Sequence, residues 1–316
     1  MKKKDIRIVF MGTPEFAVSV LEGILEAKYK VVGVITAPDR PAGRGQKTHE
    51  SAVKLFSKSK NIKIFQPTNL KDETFLSDLK VLNASLQVVV AFRMLPKEVW
   101  NMPELGTFNL HASLLPKYRG AAPINWAIIN GEKSSGVTTF FIDEKIDTGA
   151  IILQSSEIID PSENAGSLHD KLMKLGTKLV IKTIKQIELN SVQTHTQSKK
   201  ELKTAHKLDK QNCKINWNSS SESIYNKVRG LSPYPTAWGL LSNGNEQLNI
   251  KIYEVKKHSL KHNFQIGQLI ITKKSIKIAV SEGCIELINF KFPGKRQMDT
   301  ASFLNGFTFN ENAKML

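Results

Sequence analysis

Ile6-Arg7-Ile8-Val9-Phe10-Met11-Gly12-Thr13-Pro14-Glu15-Phe16 joins a short apolar run to a glycine turn and the first residues of a helical pattern. The run reads as a buried strand; Thr13 is placed to cap the helix, and Pro14 suits its first turn. The same alternation continues downstream. Apolar β-rich runs recur at 29–36, 62–65 and 86–91, with helical stretches between them. That βαβα order predicts an α/β fold built on a doubly wound, Rossmann-like, mostly parallel sheet. The turn at Gly12 offers a single glycine where a dinucleotide fingerprint has three, and no acidic residue closes the second strand. No nucleotide cofactor is expected.

Further along, residues 165–190 read as one helix, with apolar positions at Leu168, Leu172, Leu175, Leu179, Val180 and Ile184. Residues 191–203 are polar, rich in threonine and lysine, and without period, which marks a linker. Beyond them a helix near 219–229 precedes short alternating runs at 247–255, 268–272, 275–280 and 283–290, with a turn signal at Asn243-Gly244-Asn245. Short strands with tight turns predict a small β-barrel. The expected organisation is a catalytic domain at 1–190, a linker at 191–203 and a second domain at 204–316.

The composition, 41% hydrophobic and 23% charged, is that of a globular protein. Val88-Val89-Val90-Ala91-Phe92 is typical of its longest apolar runs, far short of the roughly 20 residues that span a bilayer, so no membrane association is expected. Met1-Lys2-Lys3-Lys4 is followed by Asp5 and Arg7 rather than by an apolar core, so it does not read as a signal peptide. Cys213 and Cys284 lie far apart and form no metal-ligand pattern. A cytoplasmic, metal-free protein is expected, and a monomer, since nothing reads as a coiled coil or an apolar stripe. A net charge of +16 suits a phosphate-rich partner.

The chemistry concentrates in Phe108-Asn109-Leu110-His111-Ala112-Ser113-Leu114-Leu115-Pro116 and the Tyr118-Arg119-Gly120 that follows. On a strand, Asn109 and His111 project to one side, an amide and an imidazole placed to donate to a developing oxyanion. Asp143-Glu144-Lys145-Ile146-Asp147-Thr148-Gly149 supplies carboxylates on a loop between two β-rich runs. A carboxylate brought to His111 would orient its ring. Taken singly, each residue also reads as an ordinary core histidine, strand cap or turn.

The run Asn109-x-His111-x-Ser113-Leu114-Leu115-Pro116 followed by Asp147-Thr148-Gly149 resembles the signature of the 10-formyltetrahydrofolate-dependent formyltransferases. Within that superfamily the chain is most similar to the members that act on methionyl-tRNA. The further matches are Met11-Gly12-Thr13-Pro14-Glu15-Phe16, Pro38-Asp39-Arg40-Pro41-Ala42-Gly43-Arg44-Gly45, Arg119-Gly120-Ala121-Ala122-Pro123-Ile124 and Gly230-Leu231-Ser232-Pro233-Tyr234-Pro235-Thr236-Ala237-Trp238. The resemblance implies that Asn109, His111 and Asp147 are the catalytic set. It implies that Ser113, Leu114, Leu115, Pro116, Ala91, Phe92 and Asp143 bind 10-formyltetrahydrofolate as co-substrate, with no metal and no covalent intermediate. It implies that Arg40, Arg44 and Lys47 meet the acceptor end of initiator Met-tRNA, and that the second domain is an OB-like barrel that binds tRNA. Basic residues there, among them Lys207, Lys210, Lys214, Lys227, Arg229, Lys295 and Arg296, would follow phosphates, while Trp217 and Trp238 read as core. No obligate protein partner is implied.

Two stretches depart from the family's pattern. Ala91-Phe92-Arg93-Met94-Leu95-Pro96 is shorter and carries a charge, and Asn125-Trp126 stands where many members have Gln-Arg. A small acceptor such as an amino-sugar nucleotide, or water, would keep the donor chemistry, and a non-catalytic RNA-binding protein would keep the basic surface. The basic 40–45 loop argues against the first, and the intact Asn109, His111 and Asp147 against the second. A dinucleotide-dependent oxidoreductase rests on fold alone, which does not decide function.

Overall fold

A computed structural model of the chain describes residues 5–42, 47–198 and 203–316. Its first elements are β1 (Arg7–Gly12), α1 (Glu15–Glu26), β2 (Lys30–Ile35), β3 (Arg40–Ala42), β4 (Lys47–His49), α2 (Ala52–Ser59), β5 (Ile64–Phe65), α3 (Glu73–Val81) and β6 (Leu86–Val90). They are followed by α4 (Lys97–Trp100), β7 (Thr107–His111), β8 (Arg119–Gly120), α5 (Pro123–Ile129), β9 (Ser134–Phe141), β10 (Ile151–Ile158) and α6 (Ala165–Glu188). Then come β11 (Thr204–Ala205), α7 (Ser221–Leu231), β12 (Ala237–Asn243), β13 (Glu246–His258), β14 (Leu269–Ile271), β15 (Ile276–Val280), β16 (Gly283–Lys291), β17 (Met298–Asp299), α8 (Thr300–Leu304) and β18 (Lys314–Met315). The chain divides into two compact units.

One unit comprises residues 1–120, 135–157 and 169–204 and holds a seven-stranded sheet in the order β10-β9-β7-β6-β1-β2-β5. β1 pairs in parallel with β2 and β6, β2 with β5, and β6 with β7; β9 runs antiparallel to β7. All five residues of β6 are buried, as a central parallel strand covered on both faces requires. β10, at the edge, alternates over most of its length. Val9, Met11, Ile35 and Val89 pack against Phe75, Leu79 and Val99 on one face of the sheet. The turn at Gly12 is closed so tightly that an added Cβ would lie 2.5 Å from Ala17 Cβ. Thr13 does not cap α1. Pro14 is the N-cap residue, in extended conformation, and no side chain bonds the first turn. Pro14 fixes the entry of the helix by its ring, and its carbonyl accepts from the N–H groups of Ala17 and Val18.

The other unit comprises residues 121–134, 158–168 and 205–316. Its antiparallel sheet runs β14-β15-β16-β13-β12-β18. The two ends meet: Gln268 bridges Lys314, and Met315 N–H donates to Gly267 O at 2.8 Å. The result is a small OB-like barrel. β12 buries every second residue, the pattern of a strand with one face on a core. Ile252, Ile276, Ile278, Ile285 and Phe290 fill the interior with Ile224, Val228 and Leu231 of α7. Trp217 joins this core and is 3% exposed. Trp238 is half-buried, with Lys210 and Lys214 each 5.6 Å from its ring centroid. Asn125 donates to Gly230 O at 2.8 Å and Trp126 to His206 O at 2.8 Å, so both side chains of that departure are bonded within this unit. No helix of the described residues is long and apolar enough to cross a membrane.

Candidate active site

In a doubly wound sheet ligands gather beyond the carboxyl ends of the strands where the order turns back, here between β1 and β6. Gly12, Thr36, Ala91 and His111 stand at or just past those ends of β1, β2, β6 and β7. On β7, Asn109 lies opposite Val89 of β6 and Phe140 of β9, and His111 opposite Thr138. The two-residue period therefore places Asn109 and His111 on the same side of the strand. Asn109 is half-buried, and its amide makes no side-chain hydrogen bond among the described residues.

His111 is 7% exposed and lies 2.8 Å, through Nε2, from the carbonyl oxygen of Tyr118. A carbonyl only accepts, so Nε2 carries a hydrogen and Nδ1 is the nitrogen left for chemistry. Nδ1 lies 3.8 Å from Asp147 Oδ2. That same oxygen accepts from the N–H of Gly120 at 2.9 Å. Three residues of this neighbourhood hold left-handed backbone: Ala91 at φ +47°, Tyr118 at +60° and Asp147 at +54°. Each such residue costs on the order of 1–3 kcal/mol, and this kind of strain gathers at functional sites. Gly149 is obligatory in its place, because an added Cβ would lie 1.6 Å from Phe141 O.

The loop after β7 is held from within the unit. Ser113 is wholly buried and its hydroxyl donates to Lys117 O at 2.7 Å, which leaves it no nucleophilic role. Leu114 covers Gly136, where an added Cβ would meet its Cδ2 at 2.6 Å. Leu115 is buried with Phe140 and Ile151, and Pro116 is half-buried. Thr138 Oγ1 donates to Ser113 O at 2.6 Å and accepts from Leu115 N–H, while Gln154 donates to Leu115 O and Thr138 Oγ1, both at 2.9 Å. Sequence reasoning passes over Thr138 and Gln154, since nothing local to them points back to a loop some 20 to 40 residues earlier.

The remaining expected residues divide. Ala91 is exposed, and Phe92 packs half-buried against the core beside Leu95. Arg93, the charge that departs from the family's pattern, donates to Thr68 O at 2.9 Å and to Pro67 O, so it pins a neighbouring loop. Asp143 is exposed and bonds its own loop, accepting from Lys145 N–H at 3.0 Å and from the Thr148 hydroxyl at 2.7 Å. Arg40 is exposed on β3, which pairs with β4 so that Ala42 faces Lys47. Arg44 lies outside the described residues. Asp39, just before Arg40, accepts from Lys54 and, at 2.7 Å, from Gln66, and Lys54 also meets Glu50 at 2.8 Å. The hydrogen bonds from Lys54 and then Gln66 hold the Asp39 carboxyl below its ordinary range. Among the described residues no group of three or more His, Cys, Asp or Glu is disposed to hold a metal ion.

A family model described as formyl transferase matches residues 6–184, and one described as formyl transferase, C-terminal domain, matches residues 207–308. The chain is 60% identical to a methionyl-tRNA formyltransferase of Flavobacterium johnsoniae over 313 residues, 99% of each chain. It is 49% identical to one of Bacteroides thetaiotaomicron over 321 aligned residues, the full length of both. Among solved structures, an N-formyltransferase from Helicobacter canadensis with folinic acid and dTDP-3-aminofucose superposes with a TM-score of 0.60 at 23% identity, covering 89% of this chain and 98% of that one. At that identity the likeness speaks to the fold. The chain belongs to the formyl transferase family, with methionyl-tRNA formyltransferases as its full-length relatives.

Proposed function

We propose that this enzyme transfers the formyl group of 10-formyltetrahydrofolate to the α-amino group of the methionine carried on initiator tRNA, with Asn109, His111 and Asp147 as its catalytic residues. The observation that carries the reading is the pair of uncommitted groups at the end of β7: an amide without an internal partner, and an imidazole whose Nδ1 faces a carboxylate at 3.8 Å. The acceptor amine sits beside an electron-withdrawing ester, which lowers its pKa below the roughly 7.7 of an ordinary α-amine and leaves much of it neutral at pH 7. The amine nitrogen bonds to the formyl carbon, and the carbon's bond to N10 breaks. Asn109 donates to the formyl oxygen as negative charge grows there. One such donor is worth about 3 kcal/mol of transition-state stabilisation.

The amine gives up one proton and N10 takes one, so the protein must carry a proton rather than consume it. Nδ1 of His111 is the place to hold it. With both ring nitrogens protonated, Nε2–H stays on Tyr118 O and Nδ1–H is stabilised by Asp147 or donated onward. Leu114, Pro116, Ala91 and Phe92 wall the donor side, the buried Ser113 and Leu115 hold that loop from behind, and Asp143 contributes by shaping the loop that carries Asp147. Arg40, Arg44 and Lys47 meet the acceptor stem at its end, since the deep groove of an A-form helix is closed to side chains along its length. Residues 204–316 add basic residues that follow the tRNA backbone. The enzyme acts as a cytoplasmic monomer.

The direct test is formylation of charged initiator tRNA from 10-formyltetrahydrofolate, with charged elongator methionine tRNA alongside. Rapid formylation confined to the initiator is the expected result. Formate release without transfer would return the acceptor assignment to a small molecule or water, and equal use of both tRNAs would remove the initiator selectivity from it.

A further inference from the structure

Gln197 stands in the polar, aperiodic stretch 191–203, where nothing in the local sequence singles it out. It is 7% exposed. Its amide nitrogen donates to the backbone carbonyls of Asp147 at 3.0 Å and Gly149 at 2.8 Å. Its amide oxygen accepts from Nε of Arg119 at 3.1 Å and Nη2 at 2.6 Å. Both hydrogens and both lone pairs of one buried amide are thus spent, and all four bonds go to the two loops that flank His111. The 118–120 loop supplies Tyr118 O to Nε2 of His111 and Gly120 N–H to the Asp147 carboxylate. The 147–149 loop supplies the carboxylate itself. Two residues before Gln197, the backbone of His195 exchanges two 2.9 Å hydrogen bonds with Ile151, which sets the register of the tether.

We infer that Gln197 is a positioning residue for the catalytic pair: its amide ties Asp147 to Arg119 and so fixes the distance from the Asp147 carboxylate to Nδ1 of His111. This rests on the formyl-transfer reading above. Asp147 needs such a tether because its φ of +54° is a left-handed conformation that a residue with a side chain keeps only where its surroundings over-determine it. Gln197 acts on that residue's own carbonyl. A glutamate in its place keeps the size and the Arg119 contact, but it sets carboxylate oxygens against the carbonyls of Asp147 and Gly149 and loses both donated bonds. A methionine keeps the volume and loses all four.

The test is steady-state formyl transfer to initiator Met-tRNA by wild type, Gln197→Met and Gln197→Glu, each repeated in an Asp147→Asn background. The expected result is a fall in kcat of about 10- to 100-fold in both single variants, the size that a misplaced catalytic group produces. KM for tRNA and for the folate should stay within about threefold, because a pure positioning defect leaves uniform binding intact. In the Asp147→Asn background the same substitutions should cost less than about twofold, since the group they position is already disabled. Gln197→Glu, the gentler change, decides the matter where Gln197→Met does not fold. Wild-type kcat in a folded Gln197→Glu variant, a loss confined to KM, or an undiminished loss in the Asp147→Asn background would overturn the inference alone. A wild-type enzyme that leaves Met-tRNA unformylated would instead sink the formyl-transfer reading, and this inference with it.

Discussion

The chemistry of His111 is decided by a carbonyl. Tyr118 O occupies Nε2, and so the ring can act as a base, or hold a proton opposite Asp147, only through Nδ1. At this scale the proposed roles separate cleanly by expected size. Asn109→Ala removes one oxyanion donor and should lower kcat by about 10²–10³ with little change in KM for either substrate. Asp147→Asn keeps the shape and removes the charge that holds the proton, and should cost about 10²–10⁴. Single-turnover formylation with saturating tRNA measures both; a loss below tenfold in either variant takes that residue out of the mechanism. Asn109 and His111 are legible as a pair in the sequence because alternation along a strand is a local rule. Asp147 is marked there only by the family resemblance, since the residues that bond it beside His111, Gly120 and Gln197, lie 27 and 50 residues away along the chain.

Among the elements, the β3–β4 ladder shows how a basic finger is mounted. Its base at Asp39 is fastened to Lys54 of α2 and to Gln66, and α2 itself starts on Ser51, whose hydroxyl accepts from Lys54 N–H at 3.0 Å. Glycine and proline spacing marks 37–49 as a loop. The short antiparallel ladder of Arg40 with His49 is added by pairing, which composition does not show. Asp39→Asn should raise KM for tRNA and leave folate binding unchanged. The Asp39 carboxyl is held below its ordinary range, so its contribution to stability is complete above the unfolded value of about 3.9 and is lost as the pH falls through it toward the folded one. The Tm difference between wild type and Asp39→Asn should therefore be steady above about pH 5 and close below about pH 4. A difference that widened in acid would show that Asp39 is not the ionised anchor. In the barrel, the alternating runs foretell β13 to β16, whereas β12 becomes evident through its ladder with β13, and β18 through its pairing with β12.

Over the whole molecule the net charge of +16 becomes a kinetic property. Association with tRNA that neutralises several phosphates should make kcat/KM for Met-tRNA fall steeply between about 50 and 200 mM salt, and each lost phosphate contact should flatten the log–log slope by about 1. Arg40→Ala is expected to reduce both the rate and the slope, and to leave the KM for the folate where it was. An unchanged slope would make the finger a surface loop without a role in binding. By itself the sequence determines the alternation of strands and helices behind the doubly wound sheet, the placing of Asn109 and His111 on one side of β7, and the barrel strands with clear alternation, because each follows from a period of two or 3.6 residues within a segment. Only the tertiary structure decides which nitrogen of His111 is free, that residues 121–134 and 158–168 group with residues 205–316, and that Gln197 closes on Asp147 and Arg119. Those outcomes depend on hydrogen bonds between segments remote in the chain, and a local pattern carries no record of where a distant segment returns.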